Sequence, residues 1–360
     1  MHVRAVTQNV RGVILAGQYA WADSKFDALC PRPLLRVANQ PLVSYPLLWL
    51  AEGGLHEVTV CANRDTRTVG AQLQDYVPPD VSFELLEDEA PRGPAGCVRD
   101  AAGDAETLLV VGGTTVPLLD VGTLLASHRA SGAAVTVVVH PEPSVDGVAR
   151  RHVPSGIYVF ERRALAHVPS RGFCDIKESL IPRLYRAGER TIAYPVRESS
   201  PRALDSPSYL ALNGWMVERL NEAPPPEGFV RISGLLAHES ARVAPDVACV
   251  GPVVVGPGAR VMAGVTLVGP TSIGAGSIVA EAALISRSAV WSRCLVGGGA
   301  ATDGSILADD CVIEPGSRVF GSVRTPEPRR RPAVFPSSWS RPGRSYHIRR
   351  QAGAALSSTD

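Results

Sequence analysis

VILAGQYAWADSKFDALCPRPLLRV, residues Val13 to Val37, decides the fold. It opens on an apolar strand that runs into Gly17 and closes on the proline-framed turn Pro31-Arg32-Pro33, followed by Leu34 and Leu35. A buried strand ending in small residues lets the main chain come close to a ligand, because no Cβ stands in the way. Outward from it, Arg11–Ala16 reads as a strand and Pro41–Ala51 as a helix stopped at Glu52-Gly53-Gly54. Glu57–Cys61, Val81–Leu86, Thr107–Val111 and Ala134–Val139 read as further strands, and Asp120–Ala130 as a helix. Strands alternating with helices predict a three-layer α/β domain with a mostly parallel sheet over residues 1–220. Ligands of such sheets sit at the carboxyl ends of the strands, where the loop after Gly17 falls.

Asn221–Gly228 (NEAPPPEG) is a stiff polar break, so 221–235 is expected to be a linker. Beyond it an apolar anchor recurs every six residues: Val243, Cys249, Val255, Val261, Leu267, Ile273, Val279, Ile285 and Trp291. The phase then slips and continues at Leu295, Ala301, Leu307, Ile313 and Val319, with Gly- and Pro-rich turns between. Hexapeptide repetition with inward anchors is the pattern of a parallel β-helix, expected here over 236–321 with about four to five coils. Residues 322–360 form an arginine-rich, proline- and serine-spaced segment. It is expected to be a disordered basic tail, or else a docking segment with Trp339 and Tyr346 as anchors.

Composition narrows the function classes. The chain has 360 residues, 45% of them hydrophobic, and a net charge of +1, so no molecule-wide charge suits it to nucleic acid. Lys25 and Lys177 are its only lysines. The cysteines at 30, 61, 97, 174, 249, 294 and 311 include no C-x-x-C pair, which predicts reduced thiols in a cytoplasmic protein without structural zinc. No apolar run is long enough for a signal peptide or a membrane span.

Laid on Leu15–Pro33 without a gap, the signature L-A-G-G-x-G-T-R-L-x-P-L-T-x-x-x-P-K-P resembles this chain. That signature belongs to the sugar nucleotidyltransferases, the NDP-sugar pyrophosphorylases such as the mannose-1-phosphate guanylyltransferase type. Many members carry a left-handed β-helix after the catalytic domain, so the hexapeptide run fits the same resemblance. Glu89–Arg99 (EAPRGPAGCVR) resembles the family's E-x-P-L-G-T-A-G segment, Ser155–Leu165 its N-A-G-I-Y-V-F, and Phe173–Gly188 its F-D-I-x-x-x-L-I-P-x-L, with Asp175 as a helix cap.

The resemblance implies a nucleotide site at Leu15, Ala16, Gly17, Gly93, Ala95 and Gly96, and a sugar side at Gly113 and Gly156. The chemistry inside the signature is replaced. Gln18 and Ala20 stand for glycines, Trp21 for the threonine, Ala22 for the arginine and Arg32 for the lysine. Arg32 is the one catalytic candidate. Gly113 takes the place of the family's magnesium aspartate in the G-D strand end, and Arg202 that of the second carboxylate. Asp120 and Asp205 are the remaining weak metal candidates, and no E-K-P segment precedes Ser155. Magnesium is therefore expected only if the chain is active.

Three readings stand. The first is a degenerate, non-catalytic member, acting as a regulatory or assembly subunit or sugar-nucleotide sensor in NDP-sugar and polysaccharide metabolism. The second is an active divergent pyrophosphorylase joining a sugar 1-phosphate to a nucleotide, with Arg32 on the phosphates. The third is a hexapeptide acyltransferase, against which stands His238 as the lone histidine near the repeats. The expected partners are a nucleotide or NDP-sugar, and further subunits as a homo-oligomer or a hetero-oligomer with an active paralogue.

Overall fold

The computed structural model describes residues 7, 9–17, 26, 28–88, 90–141, 151–232 and 234–326. The loop from Gln18 to Lys25, Asp27, and the tail from Glu327 onward lie outside the described residues. Seven strands form the first sheet: β1 (Val10–Leu15), β2 (Glu57–Asn63), β3 (Ser82–Asp88), β4 (Thr107–Gly112), β5 (Val135–Pro141), β6 (His152–Glu161) and β7 (Thr191–Pro195). Their order is β3-β2-β1-β4-β6-β5-β7. β6 alone is antiparallel to its neighbours; the remaining pairs are parallel.

The central strands are apolar on both faces because helices cover both. Val13, Leu108 and Val110 face one buried cluster; Ile14, Leu109 and Val111 face the other. Helices α1 (Ser44–Glu52), α2 (Gly93–Asp100), α3 (Val121–Ser131) and α4 (Ser206–Glu222) complete the α/β part. Buried His128 on α3 bridges Thr136 Oγ1 of β5 at 2.6 Å and Glu161 Oε1 of β6 at 3.0 Å, so one imidazole fixes a helix across two strands. Burial holds its pKa below the ordinary histidine value, against the opposing pull of Glu161.

After α4 the chain enters a β-helix of three parallel sheets. Its first strand, Phe229–Ile232, falls inside the stretch expected to be linker and pairs antiparallel with Leu235–His238, closing the open edge of the first coil. The last, Val323–Arg324, pairs with Ile306–Leu307 and so carries the repeat past residue 321. Inside, like side chains stack in register: Val255, Ile273, Val290 and Leu307 on one face, and Val261, Val279, Val296 and Ile313 on the next. Each such buried aliphatic contributes roughly 1.5–3 kcal/mol. His238 bonds Ser240 Oγ at 2.8 Å and meets Phe229 edge-on.

Three expected anchors are corrected. Trp291, Leu295 and Ala301 do not point into the coil; their neighbours Val290, Val296 and Thr302 do, each fully buried. The phase slips earlier than the sequence suggests, at the corner after Ile285. There the turn loses one residue, and coil-to-coil spacing falls from 18, as in Gly258 to Ser240, to 17. A ladder of hydroxyls stabilises the shorter corner. Ser288 N–H donates to Thr271 Oγ1, Ser305 N–H to Ser288 Oγ and Ser322 N–H to Ser305 Oγ, at 3.3, 3.1 and 3.2 Å. Backbone donors that a tight turn would orphan are thereby satisfied by the preceding coil.

Trp291 instead joins the two parts of the chain. It packs with Tyr209, Leu212, Leu35, Leu42 and Ala289 in a buried cluster. Its Nε1 donates to Tyr209 Oη at 2.7 Å, and Tyr209 Oη donates to the Arg36 carbonyl. Asn213 Oδ1 accepts from Ala38 N–H at 2.9 Å and from Ser272 Oγ at 3.1 Å, and Asn39 Nδ2 donates to the Ile273 carbonyl at 2.9 Å.

Candidate functional site

The carboxyl ends of β4, β5 and β7 and the first half of β6 surround a cleft lined by Thr114 to Leu119, His140, Pro154, Ser155 and Glu198 to Ser200, with Arg202 on its lip. The chain just before Thr114 is fixed first. Ala16 N–H donates to the Cys61 carbonyl at 2.8 Å, and Gly113 N–H to the Leu15 carbonyl at 2.9 Å. The chain beyond β4 is thus zipped to the chain beyond β1. At Gly113 a Cβ would lie 3.0 Å from Ala16 Cα, 3.2 Å from Ala16 Cβ and 3.2 Å from the Leu15 oxygen. The position to which the resemblance assigns a metal aspartate is buried and has almost no room for a side chain. Gly17 differs, since a Cβ there would meet only Asn63 at ordinary contact distance, 3.8 Å.

The wall from Thr114 to Leu119 is pinned at both ends. Thr115 N–H donates to the Gly112 carbonyl at 3.0 Å, Val116 N–H to Ser200 Oγ at 3.3 Å, and Trp49 Nε1 to the Leu119 carbonyl at 2.6 Å. Gly156 (φ +88°) takes a conformation that side chains disfavour, and a Cβ there would come within 3.0 Å of Thr115 Oγ1. Gly113 and Gly156 therefore both border the cleft's threonine wall, the sugar side of the expectation. Tyr158 lies beneath on β6, its phenol pushed upward by burial and by Asp175, with Arg202 pulling the other way.

The second glycine group acts in packing. Gly93 (φ +74°) opens α2, and a Cβ there would sit 2.7 Å from the Cys174 carbonyl oxygen. Ala95 N–H donates to that same oxygen at 3.0 Å, and Cys174 N–H to the Arg92 carbonyl at 2.8 Å. Gly96 is crowded by Arg92 Cβ at 2.6 Å. Gly93 and Ala95 thus clamp α2 to Cys174, beside which Asp175 caps the next helical turn by accepting from Lys177 N–H and Glu178 N–H at 2.7 and 2.8 Å.

Arg32 sits on the turn Arg32–Leu34, and its Nη2 donates to the Leu204 carbonyl at 3.2 Å, tying that turn to the start of α4. Asp205 is the N-cap of α4, in a capping box with Ser208 at 2.9 Å, and the Ser208 hydroxyl and N–H hold its carboxyl below the usual range. Asp120 caps α3 in the same manner, accepting from Thr123 N–H and Oγ1 at 2.7 Å, and is likewise lowered. Among the described residues no three His, Cys, Asp or Glu side chains converge as a metal centre. The seven cysteines are all free, and no described helix is long and apolar enough to cross a membrane. Sequence reasoning missed Thr115, Ser200 and His140 as cleft residues: the two hydroxyls lie in loops without a periodic signal, and His140 is a lone histidine near the end of an apolar strand.

Comparison with known proteins agrees with this architecture. Residues 28–152 match the family model described as nucleotidyl transferase. A mannose-1-phosphate guanylyltransferase of Mycobacterium tuberculosis is 24% identical over 278 residues, 70% of this chain and 77% of that protein. The mannose-1-phosphate guanylyltransferase catalytic subunit beta of Dictyostelium discoideum is 21% identical over 69% of this chain and 70% of its own. With the mannose-1-phosphate guanyltransferase of Pichia angusta, 26% identical, the match spans 45% of this chain and about half, 47%, of the relative. The chain thus carries a domain of the nucleotidyl transferase family, akin to the sugar nucleotidyltransferases and continued into a parallel β-helix of hexapeptide repeats.

Proposed function

We propose that this chain is a non-catalytic sugar-nucleotidyltransferase homologue that binds a sugar phosphate or sugar nucleotide and serves as a regulatory or assembly subunit. The observation that carries the reading is Gly113, where a carboxylate would have to displace the Ala16 backbone 3.0 Å away. Magnesium bridging phosphates needs one or two carboxylates, and the residues present do not fit one held in the family's manner. Asp120 and Asp205 do not supply the deficit, since each carboxylate is committed to a helix cap. Arg32, the remaining cationic candidate, is engaged with the Leu204 carbonyl.

The relatives named for mannose 1-phosphate make mannose 1-phosphate and GDP-mannose the first ligands to try. One relative is named as a catalytic subunit, and a place beside such a subunit fits a chain that keeps the architecture without the metal carboxylates. The test is pyrophosphate release from GTP and mannose 1-phosphate with magnesium, run beside thermal shift with GDP-mannose. Stabilisation without turnover is expected. Sustained magnesium-dependent pyrophosphate release by the purified chain would overturn the reading in favour of the active divergent enzyme.

A further inference from the structure

We propose that the cleft binds a phosphate-esterified hexose without a divalent cation, the Arg202 guanidinium meeting the phosphate charge that a carboxylate-held metal would otherwise meet. The proposal rests on the preceding reading of the cleft as one that kept its shape and lost its metal ligands.

Charge balance is the first argument. Two carboxylates and one divalent cation cancel, so a metal-loaded site of that kind adds no net charge. Here one carboxylate position is Gly113 and the other is Arg202, so the two metal positions together carry one positive charge without any ion. Glu198 is the single carboxylate in the lining and formally offsets Arg202; both are exposed and equally screened by water, so what the lining offers a phosphate is a local guanidinium rather than a net charge.

Placement is the second. Arg202 stands on a short lip fixed on both sides. On one, buried Ser200 accepts from Val116 N–H at 3.3 Å; on the other, Ala203 is buried in the cluster that joins the two parts of the chain. Two residues further, Asp205 caps α4. The backbone carrying Arg202 is therefore held, while its side chain is exposed and makes no ion pair with the described residues. A planar guanidinium with forked donors suits a phosphate oxygen pair better than an ammonium would.

Chemistry of the walls is the third. Thr114, Thr115, Ser155 and Ser199 offer hydroxyls that both donate and accept, over an apolar floor that includes Val138 and Ile157. Alternating hydroxyl partners and apolar ground is what a hexose ring presents in return.

Titration calorimetry of the full chain against mannose 1-phosphate, GDP-mannose and inorganic phosphate, each in magnesium and in EDTA, tests this. One of the two sugar ligands is expected to bind with affinities within about twofold in the two buffers, and to bind more tightly than inorganic phosphate; which one binds better identifies the source of the phosphate. Arg202→Ala should weaken it about tenfold or more, and Arg202→Lys should recover only part of that. Because Arg202 is exposed, neither variant should shift the melting temperature of the free protein. Binding lost in EDTA, binding unchanged in Arg202→Ala, or no binding of either sugar ligand overturns the proposal. The pyrophosphate-release assay reads separately: turnover would sink the non-catalytic reading, and metal-independent binding through Arg202 would still stand.

Discussion

Restoring the family's aspartate at Gly113 should damage the protein rather than activate it. The backbone φ there lies outside the left-handed region, so the penalty is one of contact and burial. A Cβ would lie 3.0 Å from Ala16 Cα and 3.2 Å from both Ala16 Cβ and the Leu15 oxygen. Ala16 is itself held by its N–H bond to the Cys61 carbonyl, so it has little freedom to retreat. Overpacking of that kind costs about 1–3 kcal/mol. The carboxylate then enters a buried position beside a carbonyl oxygen with no cation to meet it, adding about 1–3 kcal/mol. The sum for Gly113→Asp is about 2–6 kcal/mol, which at about 2–4 °C per kcal/mol lowers Tm by roughly 4–24 °C for a domain of this size. Gly113→Ala isolates the contact part and should fall between wild type and Gly113→Asp. Differential scanning calorimetry reads the stabilities, and pyrophosphate release with magnesium reads the chemistry. A Gly113→Asp protein that melts within about 1 °C of wild type, or that gains magnesium-dependent turnover, refutes the reasoning.

Three further outcomes are expected. Asp120→Ala removes the cap of α3 and should cost about 1 kcal/mol at neutral pH by urea unfolding. Because the folded pKa of Asp120 is lowered, its contribution is complete above the ordinary carboxylate pKa and disappears as pH falls through the folded value, so wild type and variant should converge in acid. Tyr209→Phe leaves the buried Trp291 Nε1 and the Arg36 carbonyl without their shared hydroxyl, a loss of about 1–3 kcal/mol that should separate the melting of the β-helix from that of the α/β part in calorimetry. Thr302→Val should stabilise by about 1 kcal/mol, since Thr302 Oγ1 is buried without a hydrogen-bond partner in the column between Ile285 and Val319; a lower Tm would show that the hydroxyl is satisfied in solution.

The α/β sheet was legible because Leu108–Val111 and Val135–Val139 are apolar runs too short for helices, and because Asp120 and Asp175 stand where caps belong. The β-helix was legible while its period held, from Val243 to Ile285. It became illegible at the corner after Ile285, where a turn one residue shorter depends on hydroxyls 17 residues away in the previous coil. Trp291 misled for a related reason: a large apolar side chain in phase looks like an anchor, and only contact with Tyr209 and Leu212 shows otherwise. The cleft itself was not legible: Gly113 and Gly156 stand next to its threonine wall in the chain, and neither lines it. Thr115 and the pair Ser200 and Arg202 come from two separate segments, and no local pattern brings them together.

The residues that persist from the family pattern and those that do not differ in what they touch. Tyr209 and Asn213 persist in Ser200–Asn213 (SPRALDSPSYLALN), the stretch that resembles the family's W-x-D-I-G-T-P-E-D-Y-L segment. Both are buried at the junction, where one phenol and one carboxamide oxygen satisfy donors or acceptors on both sides of it. Gly93 and Ala95 persist, and the first has no room for a side chain while the second donates to the same Cys174 oxygen. What has gone is the set of side chains whose work would be done on phosphate and metal: the carboxylate at Gly113, the carboxylate at Arg202 and the lysine at Arg32. A buried donor left unpaired costs about 1–3 kcal/mol against a total stability of only about 5–15 kcal/mol, so folding alone is enough to hold these junction residues in place. Arg202 is exposed and carries no such cost, so its identity stands apart from the folding constraint that keeps Tyr209, Asn213 and Gly93, and the calorimetric comparison of Arg202→Ala with wild type is what reads whether it serves binding.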